Sequence, residues 1–157
     1  MIALENILED LVSALSDTSV GKPVFYWGTS EDLPQFLERY GELSVPLVWL
    51  VSGYDNYENN LSYRDAEVVF CARETRVETL NLTRVKENYS YKTVLIPLYE
   101  QFMERIAISG NAWINEDDRV QVLKSPNHSV NEANEAQDIW DVLKVKIRIY
   151  FNEDYKC

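Results

Sequence analysis

The stretch Leu143–Phe151, LKVKIRIYF, constrains the fold of this chain more than any other. Leu143, Val145, Ile147, Ile149 and Phe151 alternate with Lys144, Lys146, Arg148 and Tyr150. Side chains of an extended chain point to opposite faces in turn. This period of two therefore predicts a β-strand, starting near Ile139, with one buried face and one polar face. The polar face gathers three cations in a chain of net charge −11, a candidate surface for an acidic patch on another subunit. An exposed sheet face, with each cation paired to a neighbouring acid, explains them equally well.

The remaining elements follow from spacing and punctuation. Leu4, Ile7, Leu8, Leu11 and Leu15 recur at helical intervals and predict an amphipathic helix over 2–16. Val24–Trp27 reads as a short buried aromatic strand. Ser30, Glu31 and Asp32 open a short helix that ends near Tyr40, with Pro34 confined to its first turn. Val45–Val51 is apolar on both sides and predicts a strand covered on both faces, entered at Pro46. Tyr54–Tyr63 reads as a polar surface loop, and its acids miss the spacing and the glycine of a calcium-binding loop. Asp65–Thr75 predicts a near-central strand, with Ala66, Val68, Phe70 and Ala72 on one face and Val69 and Cys71 on the other. Residues 76–90 give no clear pattern. Tyr91–Ser109 predicts the main helix, kinked or started late by Pro97 and stopped at Gly110. Arg119–Lys124 predicts a further strand ended by Pro126, followed by a polar connection over 127–136.

Together these predict an α+β chain: a mostly antiparallel sheet of four to five strands, with an N-terminal helix and one long helix packed on it as a two-layer sandwich. The 157 residues fit a single domain spanning 1–157. No apolar run approaches the ~20 residues of a membrane span, so no membrane contact is expected. The N-terminus carries acids where a secretory signal would carry bases, which predicts a cytosolic product with Cys71 and Cys157 as free thiols.

Chemistry-bearing motifs are sparse. His128 is the single histidine, which removes most acid–base and metal arrangements. No nucleophile elbow, phosphate-binding loop or dinucleotide fingerprint occurs. Cys71 lies in an apolar strand pattern, where a cysteine acts as a small core residue rather than half of a dyad with His128. The acids at 116–118 and at Glu132, Glu135 and Asp138 sit in polar surroundings, which favours a solvated loop over paired-carboxylate chemistry. These observations predict a non-enzyme with no catalytic residue, no cofactor and no metal. The 26 acids against 15 bases disfavour binding to nucleic acid, because phosphate affinity comes from cations.

Val45-Pro46-Leu47-Val48-Trp49-Leu50, then an alternating strand, then Val94-Leu95-Ile96-Pro97-Leu98-Tyr99-Glu100 opening a long helix, resembles small structural proteins of tailed phages, especially those of the Bacteroidetes group. Those proteins are tail terminators, tail-completion proteins or head–tail connectors. The resemblance implies a homo-oligomeric ring, commonly a hexamer, at the tail end or in the neck of the virion, made in the host cytoplasm. It implies tail-tube or connector proteins as neighbours, and DNA passing without specific binding. An acidic lumen suits that passage, since phosphates slide past like charge. Ring contacts must be heterologous and closing. Candidate interface residues are Lys144, Lys146 and Arg148, with Tyr54, Tyr57 and Tyr63 from the tyrosine-rich loop. The net charge also admits a second reading, an acidic protein that mimics DNA or inhibits a nucleic-acid enzyme.

Overall fold

The computed structural model describes residues 3–39, 45–73, 91–129 and 139–153. Its elements in chain order are α1 (Ala3–Ser13), β1 (Val24–Gly28), α2 (Asp32–Arg39), β2 (Leu47–Val51), β3 (Asp55–Glu58), β4 (Leu61–Arg73), α3 (Ile96–Ser109), β5 (Ala112–Trp113), β6 (Gln121–Ser129) and β7 (Ile139–Phe151). A π-helical turn, Tyr91–Leu95, leads into α3. Pro97 lies in the first turn of α3, directly after the π-helical turn, and Gly110 closes the helix at φ 74°. No helix among the described residues is long and apolar enough to cross a membrane.

The fold is α+β, but the expected mostly antiparallel sheet of four to five strands is corrected. Seven strands form one mixed sheet along the path β1-β2-β4-β7-β5, with β3 added to β4 and β6 to β7. β1 and β2 run parallel, with Val24 beside Leu47 and Gly28 beside Val51. A parallel pair needs a crossover, and α2 provides it. Crossover helices pack on a face of the sheet. Hence the helices do not all lie on one side.

One face carries the larger core. Leu4, Ile7, Leu8 and Leu11 of α1 and Leu98, Phe102 and Ile106 of α3 pack against Val48, Leu50, Val68, Phe70 and the apolar face of β7. Phe70 meets Phe102 edge-on at 5.3 Å, the geometry that aromatic quadrupoles favour. Burying each such side chain stabilises the fold by about 1.5–3 kcal/mol. On the opposite face α2 sets Leu33 and Leu37 over Leu47, Trp49, Val69, Cys71, Trp140 and Val142, forming a second, smaller core. β2 is therefore buried on both faces, as its uninterrupted apolar run predicts. Gly28 allows the close approach of α2 here: a Cβ at that position would lie 2.7 Å from the Trp49 ring and 3.1 Å from the Asp32 carboxylate. The α2 cap is reciprocal. The Thr29 hydroxyl accepts from the Asp32 N–H at 3.1 Å, and the Asp32 carboxylate accepts from the Thr29 N–H at 3.0 Å.

Three sequence expectations change locally. The expected loop at Tyr54–Tyr63 is a β-hairpin, turned by Asn59 and Asn60 at φ 53° and 63°. Consecutive positive φ values belong to a type I′ turn, whose twist matches that of paired strands. The strand expected to end at Pro126 continues to Ser129, with a register shift between Ser125 and His128 that accommodates the proline. β1, expected to be buried, lies at the end of the sheet path and leaves Tyr26 and Trp27 44% and 45% exposed. The unassigned stretch 76–90 and the acids Glu132, Glu135 and Asp138 lie outside the described residues.

Candidate interaction surface

The polar side of β7 divides in two. Trp140 and Val142 lie under α2 in the second core. Beyond them Lys144, Lys146, Arg148 and Tyr150 occupy the same sheet face, each half-buried or exposed. The antiparallel register with β4 decides what stands beside each. Lys144 faces Val69, Lys146 faces Glu67, Arg148 faces Asp65, and Tyr150 faces Tyr63. Cross-strand neighbours of this kind are the unit of sheet stabilisation.

Arg148 donates to both Asp65 oxygens, at 2.7 and 3.2 Å. This fork-to-carboxylate geometry holds the guanidinium 4.3 Å from the centre of the Tyr63 ring. The hydrogen bond to Asp65 raises the Arg148 pKa first, and a second to Tyr150 adds to it. Tyr63, Tyr150 and Trp113 form an aromatic row across β4, β7 and β5. Ring centroids lie 5.6 Å apart for the first pair and 5.9 Å for the second, which is stacked within 12°. The Tyr63 hydroxyl donates to Glu58 at 3.3 Å. Its pKa rises through partial desolvation, with Glu58 reinforcing and Arg148 opposing.

Beside the row the chain between β5 and β6 encloses a groove of about 500 Å³. Asp65, Glu67 and Asp118 supply its negative charge, and Arg119, Lys146 and Arg148 its positive charge. The cations of β7 therefore stand in a surface of interleaved signs. Such a surface selects a partner by the position of charges more than by their sum.

Of the six candidate interface residues, Lys144, Lys146, Arg148 and Tyr63 share this face. Tyr57 pairs with Ser62, so it leaves the hairpin on the other side, where its hydroxyl donates to Asn60 at 3.3 Å. Tyr54 stands 90% exposed before β3 and belongs to neither group. Sequence reading missed Trp113 and the two acids of β4. A two-residue strand has no period to detect. Alternation puts Asp65 and Glu67 on one face of β4, but only the register sets them beside the cations of β7.

The opposite side of the hairpin is built differently. Arg64 is 3% exposed and donates to Asp55 at 2.7 Å and to Glu5 of α1 at 2.6 Å. Burial opposes its charge, but the two carboxylates outweigh that and raise its pKa. The triad ties the hairpin to α1.

The cysteine and histidine weighed as a dyad are not placed as one. Cys71 pairs with Val142 and His128 with Trp140, so β7 runs between their strands and separates them by about 10 Å. Burial pushes the Cys71 thiol up to about 12, against a smaller opposing effect of Lys144. It stays protonated at neutral pH and is not a nucleophile. No group of three or more metal-capable side chains occurs among the described residues. Comparison with protein-family models, curated proteins and solved structures yields no match to this chain.

Proposed function

We propose that this chain is a structural subunit that assembles into a ring at the tail end or neck of a tailed phage, as a tail terminator or head–tail joining protein. The observation that carries this reading is the abrupt end of cover on the outer face. Trp140 and Val142 are buried in the core that includes Leu33 and Leu37 of α2, whereas Lys144, Lys146, Arg148 and Tyr150 beyond them are half-buried or exposed. Aromatic side chains and arginine among fixed charges are the composition of a protein contact surface. The face takes a neighbouring subunit or a virion partner, and Tyr63 of the hairpin belongs to it.

The phage setting rests on the resemblance of Val45–Leu50 and Val94–Glu100 to that family, and a DNA passage suits a chain of charge −11. The DNA-mimic reading needs acids arrayed without interruption. The outer face instead alternates them with cations, so it lends that reading no support.

The test is assembly. Purified protein measured by light scattering and electron microscopy is expected to form closed particles. Reversing Lys144, Lys146 and Arg148 to Glu together is expected to weaken that assembly while circular dichroism stays unchanged. A protein that remains monomeric at every concentration, and that never joins virions, would rule the reading out.

A further inference from the structure

The two lateral edges of the sheet differ from its protected interior. β1 closes one side with the sequence VFYWG, which contains no charged residue. β6 flanks β7 on the other side and leaves Val122 and Leu123 40% and 41% exposed. Among the described residues no strand pairs with the outer edge of either. Sheets that stay monomeric blunt such edges with lysine, proline or a covering loop; β6 carries Lys124 and, at its register shift, Pro126, whereas β1 carries neither.

The two edges are compatible in direction, length, facing and register. β2 runs parallel to β1, β4 antiparallel to β2, β7 antiparallel to β4, and β6 antiparallel to β7. β6 therefore runs opposite to β1, and copies set side by side meet as antiparallel strands. The second is length: β1 has five residues, and β6 is regular over Gln121–Ser125 before its register shift.

The third is facing. Trp27 aligns with Leu50 and Val122 with Val145, so both belong to the face of the larger core. Tyr26 aligns with Trp49 and Leu123 with Lys144, which puts both on the outer face. The fourth is register. A single antiparallel alignment sets Trp27 opposite Val122 and Tyr26 opposite Leu123 at once. It also sets Phe25 against Lys124 and matches Val24–Gly28 to Gln121–Ser125 end to end. Each face then gains one aromatic–aliphatic cross-strand pair, the combination that packs best on a pleated surface. Lys124, which in its own chain lies 5.3 Å from the centre of the Tyr91 ring, comes beside the groove between α1 and β1 that holds both Glu9 and Lys22.

We infer that β6 of one copy pairs antiparallel with β1 of the next, continuing the sheet from subunit to subunit. The joint is heterologous, since different strands meet, and it repeats until it closes. A joint between two β1 edges about a two-fold axis would also match faces, but it would stop at a dimer. This inference rests on the ring reading above and names the contact that closes the ring.

Cysteine pairs report the register directly. In a Cys157→Ser background, the double variant Tyr26→Cys/Leu123→Cys is expected to give, on mild oxidation, a ladder of covalent oligomers ending at one closed species. The mismatched pair Tyr26→Cys/Val122→Cys, whose side chains leave on opposite faces, is expected to give none beyond background. Either cysteine alone stops at dimers. Separately, Trp27→Glu and Val122→Lys are each expected to raise the concentration needed for assembly by about tenfold or more, because charge blunts an edge. Combined, they place opposite charges across the joint and restore assembly. If wild-type particles form but the matched pair links no better than the mismatched pair, the edge joint is wrong and the ring reading stands. If the wild type stays monomeric, both fall.

Discussion

Arg64 and Arg148 both bind an aspartate through Nε at 2.7 Å, yet they serve opposite faces of one sheet. Arg64 lies beneath α1 with its side chain 4% exposed, whereas the Arg148 side chain is 37% exposed and its Asp65 partner 64%. Water decides the difference. On the helix face two carboxylates replace the solvent that Arg64 has lost, so removing the arginine would leave buried, uncompensated charge. On the outer face water already screens the pair, and its value lies in setting the position of the guanidinium over Tyr63. Equal distance does not mean equal consequence.

Substitutions can break that contrast in order of size. Arg64→Ala is expected to destabilise the fold by about 3–5 kcal/mol, since it strands Glu5 and Asp55 without their cation. Urea unfolding would read this as a large fall in midpoint. Replacing Arg64 by Met together with Glu5 by Leu should recover much of the loss, because a well-packed apolar pair needs no compensating charge. No recovery would mean that the triad supplies more than neutralisation.

Asn60→Val moves the hairpin without touching either arginine. It forces a β-branched side chain into a backbone at φ 63°, with an expected cost of about 1–2 kcal/mol, and Asn60→Gly should be close to neutral. Both are read by thermal unfolding.

Cys71 probes the second core through pH. Burial lifts its folded-state pKa from the ordinary 9.0 to about 12, so above 9 the unfolded chain sheds a proton that the folded chain keeps. That contribution is fully present below 9 and is lost as pH rises, by about 1.4 kcal/mol per unit between the two values. Cys71→Ala should flatten that part of the pH profile.

The smallest effect belongs to Arg148→Ala, which is expected to leave the unfolding midpoint almost unchanged. Its signature is local: Tyr63 loses its cation, and the tyrosine absorbance near its ionisation shifts. A loss of stability as large as that of Arg64→Ala would erase the contrast drawn between the two faces.

Much of this architecture was readable in advance wherever a period ran long enough. β7, the apolar face of β4, α1 and the late start of α3 at Pro97 follow from alternation, helical spacing and proline geometry. The hairpin escaped because its strands are short and polar, and an Asn-Asn turn is a weaker signal than Asn-Gly. β5 escaped because two residues carry no period. The site was half legible. The cations and Tyr150 shared a side by alternation, but their partners Asp65, Glu67 and Trp113 come from strands whose register no local pattern reports.

The sequence by itself determined that β7 has one greasy and one charged face, because alternation is a property of the extended backbone alone. It also determined that Cys71 sits in apolar surroundings. What only the tertiary structure decided is where cover stops. Trp140 and Val142 join the core that Leu33 and Leu37 of α2 belong to, while Lys144, two residues on, does not. Neighbours across strands are set by register, and register is settled only when the whole sheet closes around its buried faces.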